Sequence, residues 1–550
     1  MEFSLAEVHD RIGMALGDRE AIVFGKRRLR YRELAERSRR LANILLGAGL
    51  RVTKERHELA GHESGQDHLA IYLYNGNEYI EGMLGAFKAR VAPLNINYRY
   101  VEEELIQLLR DSRARAILYH AEFAPTLGNI LPGLPQLRLL IQVADGSGNA
   151  LLPNAIDYEE ALAASSPEPP PVSPSPDDLY IVYTGGTTGM PKGVLWRSAD
   201  IFVRGMGGVT WGSNEEFASM EAVLERAQAH GTLIGEEMRS FSIPPLMHAG
   251  AQWSSFLLLA QGQLIIFQDN PRRLDPEEIL AIVERERVNY LQIIGDAFAR
   301  PILDAMGRGV YDLSTLKVIS SGGAPLSSNY KEEFLERLPG VLIVDGFGAS
   351  ETGTQGVNLA TRDSGASTGD FRPVNTTLVL SDDLIRPLGP GEPEIGWLAQ
   401  CGRVPLGYLG DAAKSARTFP TIDGVRYAVP GDRARYRSDG SIEILGREAV
   451  TINSGGEKIF AEEVEHALKH HPAVFDAVVC GRQSERWGQE VVAIVQLRAA
   501  TPASEQELLD ECARHIARYK LPKSFVFLDK IVRSPTGKAD YRWARAQVSG

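Results

Sequence analysis

The chain has 550 residues, with 59 Lys+Arg against 71 Asp+Glu and a formal net charge of −12, which is length enough for two or more domains with separate cores. The acidic balance, without a local run of lysines and arginines, excludes a nucleic-acid partner, because a phosphate backbone needs a basic footprint. Three widely spaced cysteines, Cys401, Cys480 and Cys512, exclude a disulfide framework and a cysteine metal cluster, and they fit a reducing cytoplasm.

The N-terminal MEFSLAEVHDRIG carries acids where a signal peptide carries bases. YRELAERSRRLANILLGAG (31–49) places apolar residues at helical spacing and stops at glycine. HLAIYLYNG (68–76) predicts a buried strand with a turn, and NEYIEGMLGAFKAR (77–90) a helix. ARAILYH (114–120) and LRLLIQV (137–143) read as further strands, so the pattern is α/β with substantially parallel sheet. SSPEPPPVSPSPDD (165–178) is a stiff surface connection leading into the strand LYIVYTGG.

GSNEEFASMEAVLERAQAHGTLIGEEM (212–238) is polar with one short helical stretch, a surface excursion or a lid over a pocket. FLLLAQGQLIIF (256–267), the most apolar window, is too short and too interrupted for a transmembrane segment, which needs about 20 apolar residues. IPPLMHAGAQW (243–253), QLIIF (263–267), VNYLQIIG (288–295), LKVISSGGAPL (316–326) and VLIVDGFGASETG (341–353) follow, and four of the five end an apolar strand in a small, polar or glycine-rich loop. Ligands of open α/β sheets gather at such strand ends, so several loops are expected to build one large site. IEIL, AEEVEHALKHHP, VFDAVVCG, EVVAIVQLR, SEQELLDECARHIARY and SFVFLD then predict a small α+β unit.

YTGGTTGMPKG, from Tyr183 to Gly193, combines bare backbone N–H groups, hydroxyls and a lysine, all suited to an anion. It is not a Walker loop. Met190 and Pro191 separate Gly189 from Lys192, Gly193 stands where Ser or Thr belongs, and VLWR favours an extended chain over a helix.

YTGGTTGMPKGV, SSGGAPL, DGFGASETG, GYLGDAAKSARTF, YAVPGD, ILGREAVTINSGGEKIFAEEVE and SPTGKADY occur in that order. Together they resemble the adenylate-forming (AMP-binding) superfamily of acyl-CoA synthetases, nonribosomal-peptide adenylation domains and luciferases, over nearly the whole chain. NINYRYVEEEL (95–105) and the SETG form look most like bacterial fatty-acid and steroid-acid CoA ligases. The resemblance implies a large multi-subdomain N-terminal α/β domain, residues 1–446, binding ATP and acyl substrate. It implies a small mobile α+β C-terminal domain, 447–550, carrying a catalytic lysine.

By the same resemblance Thr184, Gly185, Gly186, Thr187, Thr188, Gly189 and Lys192 grip the β- and γ-phosphates. Gly322, Gly323 and Ala324 pass beside adenine and the acyl group, within a nucleotide set that also takes in Asp345, Gly346, Phe347 and Gly348, Phe347 stacking on the base. Ser350 touches the α-phosphate and Glu351 binds Mg²⁺, a hard cation that prefers oxygen. Asp432 accepts from the ribose hydroxyls with Arg447 in support, and His248 positions the acid. Trp253, Phe256 and a GDAFARP loop (295–301) are candidates for shaping the acyl pocket. Lys538 supplies the catalytic ammonium, while Ser454, Gly455, Gly456, Glu457 and Lys458 line the pantetheine arm of coenzyme A after the domain rotates. Two positions depart from the family pattern: Ala449 stands at the pivot, commonly Asp or Lys, and Ala461 where proline is common.

The implied activity is ATP-dependent acyl-CoA ligation of a hydrophobic carboxylic acid through acyl-AMP, with ATP, Mg²⁺ and coenzyme A. The alternative is a stand-alone acyl-adenylating enzyme that loads a carrier protein, although no carrier with its own phosphopantetheine site is fused to the chain. A homodimer is left open.

Overall fold

A computed structural model describes residues 2–186, 189–210, 215–229, 235–374, 376–454, 457–484, 488–499, 501–516, 518–533 and 537–548. Among them the strands form three sheets. In the first, His68–Tyr72 lies between Ala92–Asn95 and Ala116–His120, all parallel, and all five HLAIY residues are buried, as a central parallel strand requires. The sheet continues from Ala92–Asn95 to Leu179–Gly186, then antiparallel to Gly189–Arg197 and Gly407–Tyr408.

The second sheet is parallel through Glu20–Phe24, Leu264–Phe267, Arg239–Ser242, Tyr290–Ile293, Val318–Gly322 and Leu342–Ala349. It turns antiparallel through Gly353–Ala360, Asp370–Pro373, Ile442–Arg447, Asp432–Tyr436 and Gly396–Cys401. One apolar cluster, including Leu69, Phe87, Trp196, Phe256 and Ile265, joins these two sheets. The helix Tyr31–Gly47 enters it through Tyr31, Leu34, Leu41 and Leu45, the stripe expected of its spacing, and packs on Asn77–Lys88.

The third sheet holds Ile452–Ser454, Glu457–Ile459, Val474–Ser484, Gly488–Leu497 and Ser524–Phe527. With the helices Ala461–Lys469 and Glu505–His515 it encloses a separate core of Val464, Leu468, Val479, Val491, Val495 and Leu508. The architecture is therefore mixed α/β, with a large N-terminal and a small C-terminal domain. IEIL belongs to the large sheet rather than the small unit, because Ile442–Arg447 pairs with Asp432–Tyr436.

Three local expectations are corrected. GDAFARP is the start of the helix Gly295–Arg308, with Pro301 inside it, rather than a loop. The helix Met220–Gln228 buries Met220, Val223 and Ala227 and packs against Leu5–Leu16, so the described part of the excursion is core-anchored and is no lid. Phe256 is fully buried, edge-on to His9 and Phe87, and Trp253 packs edge-on to Trp196; both serve the core. Among the described residues no helix is long and apolar enough to cross a membrane.

Candidate active site

The phosphate segment is the tip of a β-hairpin. Tyr183 pairs with Gly193, Thr184 with Lys192 and Gly186 with Gly189, so Gly185, Gly186 and Gly189 present backbone; Thr187 and Thr188 lie outside the described residues. Buried Asn95 anchors the incoming strand. Its Oδ1 accepts from Tyr183 N at 2.8 Å, and its Nδ2 donates to Tyr183 O at 2.9 Å and to Met247 O at 2.6 Å. One side chain thus ties the hairpin to the turn that carries His248.

The Lys192 ammonium lies 3.3 Å from Asp411 Oδ2. Asp411 also caps the helix Ala412–Thr418 by accepting from Lys414 N at 3.0 Å, which fixes its carboxylate beside the lysine. Three residues earlier, the Tyr408 hydroxyl donates to Glu351 Oε1 at 2.7 Å. Ser350 is held next to Glu351 by Trp196, whose indole N–H donates to the Ser350 carbonyl at 2.8 Å. Tyr408 and Asp411 have no assigned role in the sequence reading. GYLGDAAKSARTF marks their neighbourhood, but only the pairing of Tyr408 with Val194 brings them to the hairpin.

A cavity of about 1160 Å³ opens between the two domains. One wall comes from the ends of two adjacent parallel strands: Gly323 and Ala324 after one, Asp345, Gly346, Phe347 and Gly348 on the other. Gly323 has φ +84, and a Cβ on Gly322 would press on the Gly346 carbonyl at 3.2 Å, so glycines keep this wall thin and flat. Asp345 pairs with the fully buried Lys331 at 2.8 Å, yet burial outweighs the ion pair and pushes its carboxyl up to about 6. The sequence reading assigns no role to Lys331, which reaches Asp345 only through the fold.

Asp432, Arg447 and Lys538 complete the cavity. Arg447 Nε lies 3.2 Å from Asp432 Oδ1, while Asp432 Oδ2 is buried and accepts no hydrogen bond from the described residues, which leaves it for a hydroxyl donor. Lys538 keeps accessible surface because it opens into the cavity, although protein surrounds it. That burial, followed by the Arg447 charge, holds its ammonium below the ordinary lysine range; Asp432 and Glu351 pull the other way. The Lys538 charge also reaches His248, which burial pushes down to about 3, so this imidazole is neutral, and its Nε2 has no hydrogen-bond partner among the described residues.

Thr184, Lys192, His248, Gly322, Ser350 and Glu351 do not line this cavity, although His248 and Glu351 lie within charge reach of Lys538. Ser454 pairs with Glu457 in a hairpin of the small sheet, and Gly455 and Gly456 lie outside the described residues. The small domain thus presents Lys538 to the cavity.

A thin glycine wall on the large domain and a lysine lent by the small one meet across a single charged cavity, which defines a protein of two cooperating parts. Residues 11–403 match the AMP-binding enzyme family and 463–538 the AMP-binding enzyme C-terminal domain; the chain belongs to that family. It is 52% identical over 546 residues to the medium-chain acyl-CoA ligase Mig of Mycobacterium avium, covering 99% of this chain and 98% of the relative. It is 38% identical to the 3-oxocholest-4-en-26-oate–CoA ligase of Rhodococcus rhodochrous, over 100% and 96% of the two chains. The crystal structure of the anthranilate CoA ligase AuaEII with anthranoyl-AMP shares the fold with a TM-score of 0.81 at 21% identity, over 100% of this chain and 98% of that one.

Proposed function

We propose that the chain is an AMP-forming acyl-CoA ligase that activates a hydrophobic carboxylic acid through acyl-AMP and passes the acyl group to coenzyme A. The identities to the medium-chain and steroid-acid ligases support a bulky or medium-length aliphatic acid as substrate. The observation that carries the reading is the Lys538 ammonium set in the nucleotide cavity, within charge reach of Asp432, Arg447, Glu351 and His248.

Adenylation must bring a carboxylate onto the α-phosphorus of ATP, anion against anion. Unit charges about 4 Å apart repel by roughly 4 kcal/mol at an effective dielectric near 20, so the site must supply cations and donors. The Gly185–Gly189 backbone and Lys192 receive the β- and γ-phosphates, Lys192 exchanging its Asp411 contact for phosphate oxygen. Phe347 and the Gly322–Ala324 backbone hold the base, and Asp432 accepts from the ribose. Neutral His248 orients the acid. Lys538 bridges the acyl carboxylate and the α-phosphate oxygens, stabilising charge as the phosphorus–oxygen bond forms and pyrophosphate leaves.

Glu351 suits Mg²⁺. Its carboxylate is fixed by Tyr408 at one oxygen, which leaves the other for a hard cation. When bound, Mg²⁺ neutralises phosphate charge. The second half-reaction uses the SGGEK hairpin, Ser454 to Lys458, after the small domain turns about the 446/447 boundary. There the strand Ile442–Arg447 ends in the short turn Glu448–Val450, whose backbone includes Ala449.

Pyrophosphate release across a panel of carboxylic acids, with and without coenzyme A, tests the reading. Acid-dependent release accompanied by an acyl-CoA product is expected. Acyl-AMP that accumulates without a thioester would move the acceptor to a carrier protein, and acid-independent release would end the ligase reading.

A further inference from the structure

The loop that carries Lys538 is tied to the large domain by a chain of alternating charges. At the large-domain end stands Asp296, in the first turn of Gly295–Arg308. Its oxygens accept from Ser327 N at 2.7 Å and Ser327 Oγ at 2.6 Å, and its own N–H donates to Pro325 O at 3.1 Å. Asp296 is therefore fixed to the SGGAPL segment that forms the nucleotide wall. Across the domain seam, Lys469 Nζ lies 3.6 Å from Asp296 Oδ2 and 3.4 Å from Asp476 Oδ1. Asp476 in turn takes two bonds from Arg533, Nε and Nη2 each at 2.6 Å. Arg533 closes the loop itself, since Nη1 donates to Gly537 O at 3.1 Å and its backbone bridges Ala539.

Two further contacts cross the same seam. The Arg300 guanidinium lies 3.1 Å from the centre of the Phe475 ring, and a Cβ on Gly537 would meet Ala297 at 3.2 Å. Asp296, Ala297 and Arg300 lie in the first two turns of one helix, while Lys469, Phe475 and Gly537 come from three parts of the small domain.

We infer that Lys469 and Arg533 are positioning residues for adenylation: Arg533 shapes the Lys538 loop, and the Asp296–Lys469 pair latches that loop in the cavity through Asp476. The inference rests on the ligase reading above. It follows from the order of the chain, because each member holds the next and the last holds the carbonyl beside Lys538. Rotation of the small domain must break the Asp296–Lys469 link but leaves Lys469–Asp476–Arg533 intact within that domain. The latch therefore acts on one half-reaction only.

The test uses the full-length chain carrying Lys469→Met, with Lys469→Arg as the conservative variant. Acid-dependent ATP–pyrophosphate exchange reads adenylation, and thioester formation from supplied acyl-AMP and coenzyme A reads the second step. Lys469→Met is expected to slow exchange roughly five- to tenfold, the range for a partly buried ion pair, and Lys469→Arg to restore most of it. Thioester formation from acyl-AMP stays within about twofold of wild type, which also shows that the variant folds. Unchanged exchange in Lys469→Met, or equal loss in both half-reactions, would overturn the latch. Absence of acid-dependent exchange in the wild-type chain would instead overturn the ligase reading on which it stands.

Discussion

Tyr408 donates its phenolic hydrogen to Glu351 Oε1 at 2.7 Å, joining the strand beside the phosphate hairpin to the SETG turn. The bond aims the carboxylate, and burial with the Glu351 charge keeps the phenol protonated far above its ordinary range. A hydrogen bond to a charged group contributes about 1.5–3 kcal/mol. Tyr408→Phe should therefore cut adenylation roughly tenfold and shift the Mg²⁺ titration to higher concentration. A titration that superimposes on wild type would show that Tyr408 does not serve the metal ligand.

Lys538→Ala should abolish most acid-dependent ATP–pyrophosphate exchange while sparing thioester formation from supplied acyl-AMP. The wild-type pH profile carries a second signature. Burial depresses the Lys538 pKa, so its charge is lost at lower pH than an ordinary lysine's. The alkaline fall of adenylation should begin below the usual lysine range, and thioester formation should lack that limb. Exchange at wild-type rate in the alanine variant would remove the lysine from the mechanism.

Glu462 sits against Gly446, where φ is +124 and a Cβ would overlap its carboxylate. Burial, with Glu465 adding repulsion, pushes its carboxyl up to about 8 from 4.5. A raised folded pKa favours the folded state below the unfolded value, and that advantage is lost as pH rises through the folded value. Glu462→Gln should thus gain stability on wild type between pH 4.5 and 8, read as a widening gap in urea midpoints. Parallel midpoint curves would contradict this.

Asn95→Ala removes three hydrogen bonds and strands the Tyr183 and Met247 backbone groups in the interior. The expected cost is roughly 2–4 kcal/mol of stability, with a raised KM for both acid and ATP, because one clamp serves both sides of the site. A rise confined to either substrate would show that the two sides are positioned independently.

Gly456→Trp should block the coenzyme A step more than adenylation, since a bulky side chain in SGGEK would meet the thiol arm only after rotation. Equal loss in both half-reactions would count against a rotating domain.

Periodicity and glycine punctuation carried much of the fold. HLAIY is buried at every position because it is the central strand of a parallel sheet, and the YRELAERS helix stops at the expected glycine. GDAFARP read as a loop because proline and two small residues mimic one; the helix forms because the Gly295 N–H donates to Ser321 Oγ and Asp296 is held by Ser327. Phe256 and Trp253 showed only aromatic character, which packing assigned to the core. Asp432 and Lys538, which line the cavity, stand in local motifs where one stretch of chain carries both residue and context. Tyr408, Asp411 and Lys331 were not legible, because each acts through a partner distant in sequence: 57 residues separate Tyr408 from Glu351.

The segment proposed to receive the phosphates lies between the strands Leu179–Gly186 and Gly189–Arg197, and among the described residues no helix begins there. On the proposed reading, charge at the α-phosphate would come instead from the Lys538 ammonium of the small domain. Whatever speeds a reaction forward also speeds its reverse, so as long as that ammonium stays, pyrophosphate can undo the adenylate. If the small domain turns as proposed, withdrawal of that ammonium makes the cycle a ratchet, protecting the activated acid from reversal while the thiol arrives.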